Sequence, residues 1–243
     1  MSTSSLPRAL ATITPSGNRV VERVTQAICR EAGVDALFTR IPVHGDTGGV
    51  ADYDWPRMEE AAALLAHARP DAISWNGTKG GAMGFDVDHR LVERMGAVAA
   101  APASTAALGI LQALGEFGAR TIALVTPYDD AYQRKCIAAF AAKGLPCAAE
   151  RHAGLTDNFS YCIVPEGDIA AMTRAAVAES RPDAVVFFCT NFEGARVAPQ
   201  LEAELGLPVL DSTALGVWAA LRSMGADTSG LVGWGRVFGL PAR

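Results

Sequence analysis

Apolar and polar residues alternate along this chain with two different periods. Short runs rich in aliphatic and β-branched residues, at Ala9–Thr14, Ala36–Pro42, Ala72–Trp75, Thr121–Thr126, Ala184–Phe188 and Val209–Leu210, read as buried strands. Between them lie longer segments with apolar side chains every three or four positions: Val20–Ala32, Met58–Ala68, Asp130–Lys143, Asp168–Glu179 and Ala195–Leu205. Two further helices are predicted to begin at Ser104 and Ser212, where a hydroxyl can accept from an unpaired backbone N–H. Strands separated by helices in this way predict βαβ units and a parallel sheet.

The pattern also repeats. A-R-P-D-A-I-S-W-N-G-T at 68–78 is answered by S-R-P-D-A-V-V-F-F-C-T at 180–190, pairing Gly77 with Cys189 at an offset of 112 (189 − 77). The same offset pairs Thr14-Pro15 with Thr126-Pro127, each closing an apolar run. A third match, S-T-A-A-L-G-I-L from Ser104 and S-T-A-L-G-V-W-A from Ser212, follows at 108 (212 − 104). The expected fold is therefore α/β: two pseudo-symmetric, doubly wound parallel-sheet halves of flavodoxin-like type, with the active cleft between them. The expected lobes are residues 1–106 plus 213–243 and residues 107–212. Each is near the lower limit for an independent α/β core, so the two should lean on each other.

With 50% hydrophobic and 19% charged residues over 243 positions, the chain has the balance of a soluble globular protein. Its net charge of −5 offers no basic footprint for nucleic acid. The five cysteines, Cys29, Cys136, Cys147, Cys162 and Cys189, form no C-x-x-C pair, which predicts reduced thiols and a cytoplasmic protein. Met1–Pro7 lacks the basic-then-apolar order of a signal peptide. The weakly polar stretch Met95–Gly115 contains Pro102, Ser104, Thr105 and Gln112, and reads as a loop, a capped helix start and a core helix rather than a membrane span.

Ligands of open parallel sheets bind beyond the carboxyl ends of the strands. The T-P, N-G-T and C-T motifs all fall at such ends. A pseudo-twofold axis would set Gly77-Thr78 and Cys189-Thr190 on opposite sides of a bound molecule. Cysteine is often an inert core residue, but Cys189 ends a buried run ahead of a predicted helix start, where backbone N–H groups can lower a thiol pKa. Thr78 and Thr190 could serve only as turn or cap residues; occurring as a matched pair, they read as donors to an anion. Tyr128 can bring a phenolic O–H to the same space, Lys79 can attract a second carboxylate, and Pro15 and Asn18 end the first strand in a small polar turn.

Other chemistries find little support. The turn after the first strand is not G-x-G-x-x-G, and no P-loop lysine follows. His44, His67, His89 and His152 are scattered, with no metal-ligand spacing. Asp86, Asp88 and His89 read as a solvated loop or helix start. No serine stands in G-x-S-x-G. Neither a metal site nor nucleotide binding is indicated.

Four segments carry a resemblance that spans nearly the whole chain: V-T-P-Y (125–128), F-C-T-N (188–191), L-E-A-E-L-G-L-P-V-L (201–210) followed by S-T-A-L-G-V-W-A-A-L-R, and G-W-G-R-V-F (233–238). They resemble the aspartate/glutamate racemase superfamily, in the branch holding arylmalonate decarboxylase and maleate cis-trans isomerase. The resemblance implies a cofactor-free enzyme. In the racemases and the maleate isomerase two cysteines, one from each half, flank the substrate; the decarboxylase keeps the second and has glycine at the first. Gly77 and Cys189 look like the decarboxylase arrangement, and Thr78 and Tyr128 match its carboxylate-binding threonine and tyrosine. Lys79 stands where the decarboxylase has a small hydroxyl residue, and Thr190 where it has a glycine. P-S-G-N (15–18) and D-N-F-S-Y-C-I-V-P-E-G (157–167) look more like the maleate isomerase.

The expected function is decarboxylation of a malonate-like dicarboxylate through an enediolate that Cys189 alone reprotonates. Two alternatives stay open: a cis-trans isomerase or racemase-like enzyme using Cys189, and a carboxylate-binding protein without chemistry. The expected partner is a small carboxylate, with no nucleic acid and no membrane. The oligomeric state is open.

Overall fold

A computed structural model describes residues 6–43 and 52–241. The first half runs β1 (Ala9–Pro15), α1 (Val21–Ala32), β2 (Asp35–Ile41), α2 (Trp55–Ala66), β3 (Ala72–Trp75), α3 (Lys79–Ala82), α4 (Asp86–Ala99), β4 (Ala103–Thr105) and α5 (Ala106–Glu116). The second runs β5 (Ile122–Tyr128), α6 (Asp130–Ala142), β6 (Cys147–Leu155), a 3-10 turn (Ser160–Ile163), α7 (Glu166–Ser180), β7 (Ala184–Phe187), α8 (Ala198–Leu205), β8 (Val209–Asp211) and α9 (Ser212–Ser223). All strand pairs are parallel, in the orders β2-β1-β3-β4 and β6-β5-β7-β8. The identical order in the two sheets is the duplication written in three dimensions.

The central strands are apolar throughout because both faces are covered. In β1, Leu10 packs toward α1, while Ala11 and Ile13 pack on the other face with Met58 of α2 and Leu91 of α4, as the two-residue period of a strand requires. In α1, Val21, Val24, Thr25 and Ile28 form the buried stripe, and the helix ends at Gly33 in a left-handed conformation. Helix α9 returns to the first half, packing on α1, β3, β4 and α5. No helix of the described residues is long and apolar enough to cross a membrane.

Strands β4 and β6 and helices α3 and α4 were not among the predicted elements. Strand β6 carries Glu150, Arg151 and His152 and is only half-buried; pairing with β5 supports a segment whose own composition argues weakly for a strand. The predicted caps also shift. Thr105, not Ser104, caps α5 by accepting from the Leu108 N–H at 3.1 Å. Ser212 lies inside α9, whose cap is Asp211, accepting from Thr213 and Ala214 at 3.0 and 2.9 Å. The Ser212 hydroxyl donates instead to the Phe187 carbonyl. Helix α8 begins at Ala198 rather than Ala195.

Candidate active site

The carboxyl ends of β1, β3, β5 and β7 from the two halves face one another, and the side chains singled out above meet there. Thr78 Oγ1 lies 3.4 Å from Tyr128 Oη, a contact between the halves in which either hydroxyl can donate. The Tyr128 hydroxyl also reaches the Cys189 sulfur, as does the Asn191 backbone N–H. Asn18 Nδ2 donates to Thr190 Oγ1 at 3.2 Å, a second link between the halves. The Asn18 Oδ1 accepts from the Val20 and Val21 N–H groups, so one amide caps α1 and faces the site. Thr78 and Tyr128 are 6% exposed, Cys189 and Thr190 4%, and Asn18 2%, so all five side chains are buried. Among the described residues, no hydrogen bond takes up the N–H of Gly77, Thr78, Cys189 or Thr190. Unpaired backbone donors beside buried hydroxyls are the kind of environment that suits an anion.

Two of the expected residues stand apart. Lys79 is half-buried at the start of α3 and makes no hydrogen bond or ion pair among the described residues. Pro15 acts through its carbonyl, which accepts from the Asn18 N–H at 2.9 Å and shapes the turn. His44 lies outside the described residues. Asp86 and His89 are exposed in the first turn of α4, as expected, but Asp88 is fully buried. Among the described residues, no three His, Cys, Asp or Glu side chains gather as a metal site. A groove of about 710 Å³ between α4, α5 and α9, lined by Ser104, Glu116 and Arg222 among others, shares none of the site residues.

The expectation of an activated thiol needs correction. No helix begins at Cys189; residues 190–197 form turns before α8. Burial pushes the thiol up to about 12, against smaller opposing effects from the Tyr128 hydroxyl and the Asn191 N–H. The Cys189 sulfur therefore holds its proton at neutral pH. Burial, and then the nearby Cys189, likewise raise Tyr128 well above its ordinary range, so it stays a neutral donor.

Several side chains at the site were not anticipated. The Tyr161 ring meets the Tyr128 ring edge-on, with centroids 5.3 Å apart. Asn191 accepts from the Arg19 N–H at 2.9 Å and donates to the Asn158 carbonyl at 2.5 Å, tying the strap after β6 to the loop after β1. Trp75 presses on Gly77: a β-carbon there would fall 2.5 Å from the indole ring. Asn158 and Tyr161 sit in the D-N-F-S-Y segment already noted, and Trp75 in the repeat itself. Their positions in the sequence were visible, but the packing between segments was not.

Two matched parallel sheets, taken with the family match and relatives that follow, define a protein of the aspartate/glutamate racemase superfamily. Within it the chain belongs to the arylmalonate decarboxylase family, whose profile matches residues 51–238. It is 26% identical over 227 residues to the maleate isomerase of Nocardia farcinica, covering 89% of this chain and 90% of the relative. It is 28% identical over 138 residues to the arylmalonate decarboxylase of Bordetella bronchiseptica, covering 56% of this chain and 58% of the relative. A cysteine-to-serine mutant of Nocardia farcinica maleate cis-trans isomerase, solved with a covalently bound succinylcysteine intermediate, superposes with a TM-score of 0.83 at 22% identity, over 95% of this chain and 98% of that one. The last likeness concerns the fold.

Proposed function

We propose that the protein is a cofactor-independent decarboxylase of malonate-like dicarboxylates. What supports this reading is the asymmetry between the repeat partners: Cys189, a buried thiol whose pKa burial pushes up to about 12, and Gly77, whose side-chain direction is filled by the Trp75 indole. In this reading one carboxylate is gripped by Thr78, Tyr128 and the free N–H groups of residues 77–78 and 189–190. The bond from the α-carbon to the other carboxylate breaks, CO₂ leaves, and the electron pair stays behind as an enediolate. Neutral donors aimed at that developing charge lower the barrier. The Cys189 S–H then forms a C–H bond to the α-carbon as general acid, and the resulting thiolate recovers its proton from solvent. A buried thiol with a high pKa suits a proton donor.

A second reading, cis-trans isomerisation of a maleate-like substrate, is favoured by the similarity to a maleate isomerase over 89% of the chain. There the Cys189 thiolate would add to the double bond and leave a carbanion, the new single bond would rotate, and the carbanion's electron pair would re-form the double bond as the thiolate departs. That route needs a thiolate, which burial opposes. The two are separated by incubating the protein with maleate and with alkyl- and aryl-substituted malonates in deuterated water and following products by NMR. Decarboxylation predicts CO₂ release and one deuterium at the α-carbon of a single enantiomer. Conversion of maleate to fumarate with every malonate left intact would overturn the first reading.

A further inference from the structure

Against Gly80, at the end of the turn that carries Thr78, sits a polar pair with no part in the mechanism above. Asp88, in the first turn of α4, is 0% exposed, and Tyr53, from the segment leading into α2, is also buried. The Tyr53 hydroxyl accepts from the Gly80 N–H at 3.0 Å. It stands 3.4 and 3.5 Å from the two Asp88 carboxylate oxygens, which take its proton. The Tyr53 ring meets Trp75 edge-on, centroids 6.0 Å apart, and Trp75 in turn covers Gly77. The fit at Gly80 is tight: a β-carbon there would lie 1.4 Å from Asp88 Oδ2 and 2.6 Å from Tyr53 Oη.

A tyrosine hydroxyl has one proton and can point a lone pair at an N–H only if that proton goes elsewhere. Asp88 receives it, and this fixes the direction of the hydroxyl. Burying a carboxyl group is costly unless it is hydrogen-bonded, and Asp88 meets that condition through Tyr53. The pair sits against the turn carrying Thr78. Its own hydrogen bonds run inward, Gly81 N–H to the Thr78 carbonyl and Phe85 N–H to the Gly80 carbonyl, both 3.0 Å. Tyr53 anchors the turn from outside.

We propose that Tyr53 and Asp88 are positioning residues for the carboxylate grip. Asp88 orients the Tyr53 hydroxyl, the hydroxyl fixes Gly80, and the fixed turn keeps Thr78 and the N–H groups of Gly77 and Thr78 aimed at the substrate. The proposal rests on the reading that this turn binds the carboxylate. Its test compares Tyr53→Phe, Asp88→Leu and the conservative Asp88→Asn, whose amide oxygen still accepts the tyrosine proton. Amide hydrogen exchange at Gly80 should quicken by about tenfold or more in Tyr53→Phe and Asp88→Leu and stay near wild type in Asp88→Asn. With a phenyl-substituted malonate, kcat/KM should fall about 10–100-fold in the first two and recover in the third. In a Thr78→Ala background, Tyr53→Phe should cost several-fold less than it does in the wild type, because part of its effect runs through the Thr78 hydroxyl.

Unchanged Gly80 exchange in Tyr53→Phe, or penalties that multiply in full in the double variant, would overturn the proposal. If Thr78→Ala is silent, the carboxylate-grip reading fails, while Gly80 exchange still decides the anchoring. Should Tyr53→Phe not fold, the contrast between Asp88→Leu and Asp88→Asn carries the same decision.

Discussion

The Trp75 indole occupies the space into which any side chain at position 77 would have to grow, with its six-membered ring 2.5 Å from where a Gly77 β-carbon would stand. Trp75 is fully buried and braced by Tyr53, so it cannot simply swing aside. The absence of a second thiol is thus built into two residues rather than one. Gly77→Cys alone should destabilise the fold by about 1–3 kcal/mol through overpacking, lowering the melting temperature by several degrees without giving racemic product. Trp75→Leu combined with Gly77→Cys should accommodate the thiol and let both faces exchange protons. Thermal melts and chiral chromatography check this; racemic product from the single variant would refute the steric argument.

Cys189→Ala should leave the circular dichroism spectrum unchanged and reduce product formation by about 10²–10⁴-fold or more, the usual worth of a positioned acid. Cys189→Ser, a much weaker acid in the same place, should resemble it. Full activity in either variant removes Cys189 from the chemistry.

The high pKa of the Cys189 thiol has a direct consequence. At pH 8, a group with a pKa of about 12 is thiolate in only roughly one molecule in 10⁴. Alkylation of Cys189 by iodoacetamide should therefore be slower than that of free cysteine by a factor on the order of 10³. Mass spectrometry of the peptide containing residue 189 measures it. Rapid alkylation at neutral pH would favour the nucleophilic isomerase route.

Thr78→Ala and Tyr128→Phe each remove a hydroxyl from the shared contact at 3.4 Å. Each should lower kcat by about 10²-fold if the group serves the developing enediolate, and the double variant should cost less than the product of the two. Steady-state kinetics on one malonate suffices. A rise in KM alone would confine them to ground-state binding.

Burial raises both Asp88 and Asp211 to about 7, and the sign of the consequence follows from linkage. Between about pH 4, where an unfolded aspartate ionises, and pH 7, the unfolded chain releases protons that the folded chain keeps. The stability these groups contribute is whole below pH 4 and lost as pH rises through 7. Urea titrations should find the protein less stable at pH 8 than at pH 5 by an amount on the order of a few kcal/mol. Asp88→Asn should flatten that difference. An unchanged pH dependence in Asp88→Asn would show that its carboxyl titrates normally.

Much of this protein was determined by the chain read as a string. Apolar runs covered on both faces marked β1, β3, β5 and β7, because a strand inside a doubly covered sheet has no solvent side to alternate toward. The repeat put Gly77 and Cys189 at equivalent places after β3 and β7, since duplicated units fold alike. Only the tertiary structure decided the rest. Strand β6 exists because β5 lends it hydrogen bonds, not because Glu150, Arg151 and His152 favour a strand. Asp88 looked solvated beside Asp86 and His89; α4 turns it inward, beneath Gly80 and beside Tyr53, a residue 35 positions earlier. The Cys189 environment reversed for the same reason. Solvation, and with it a group's acidity, depends on what other segments pack around it, and that is a property of the folded whole.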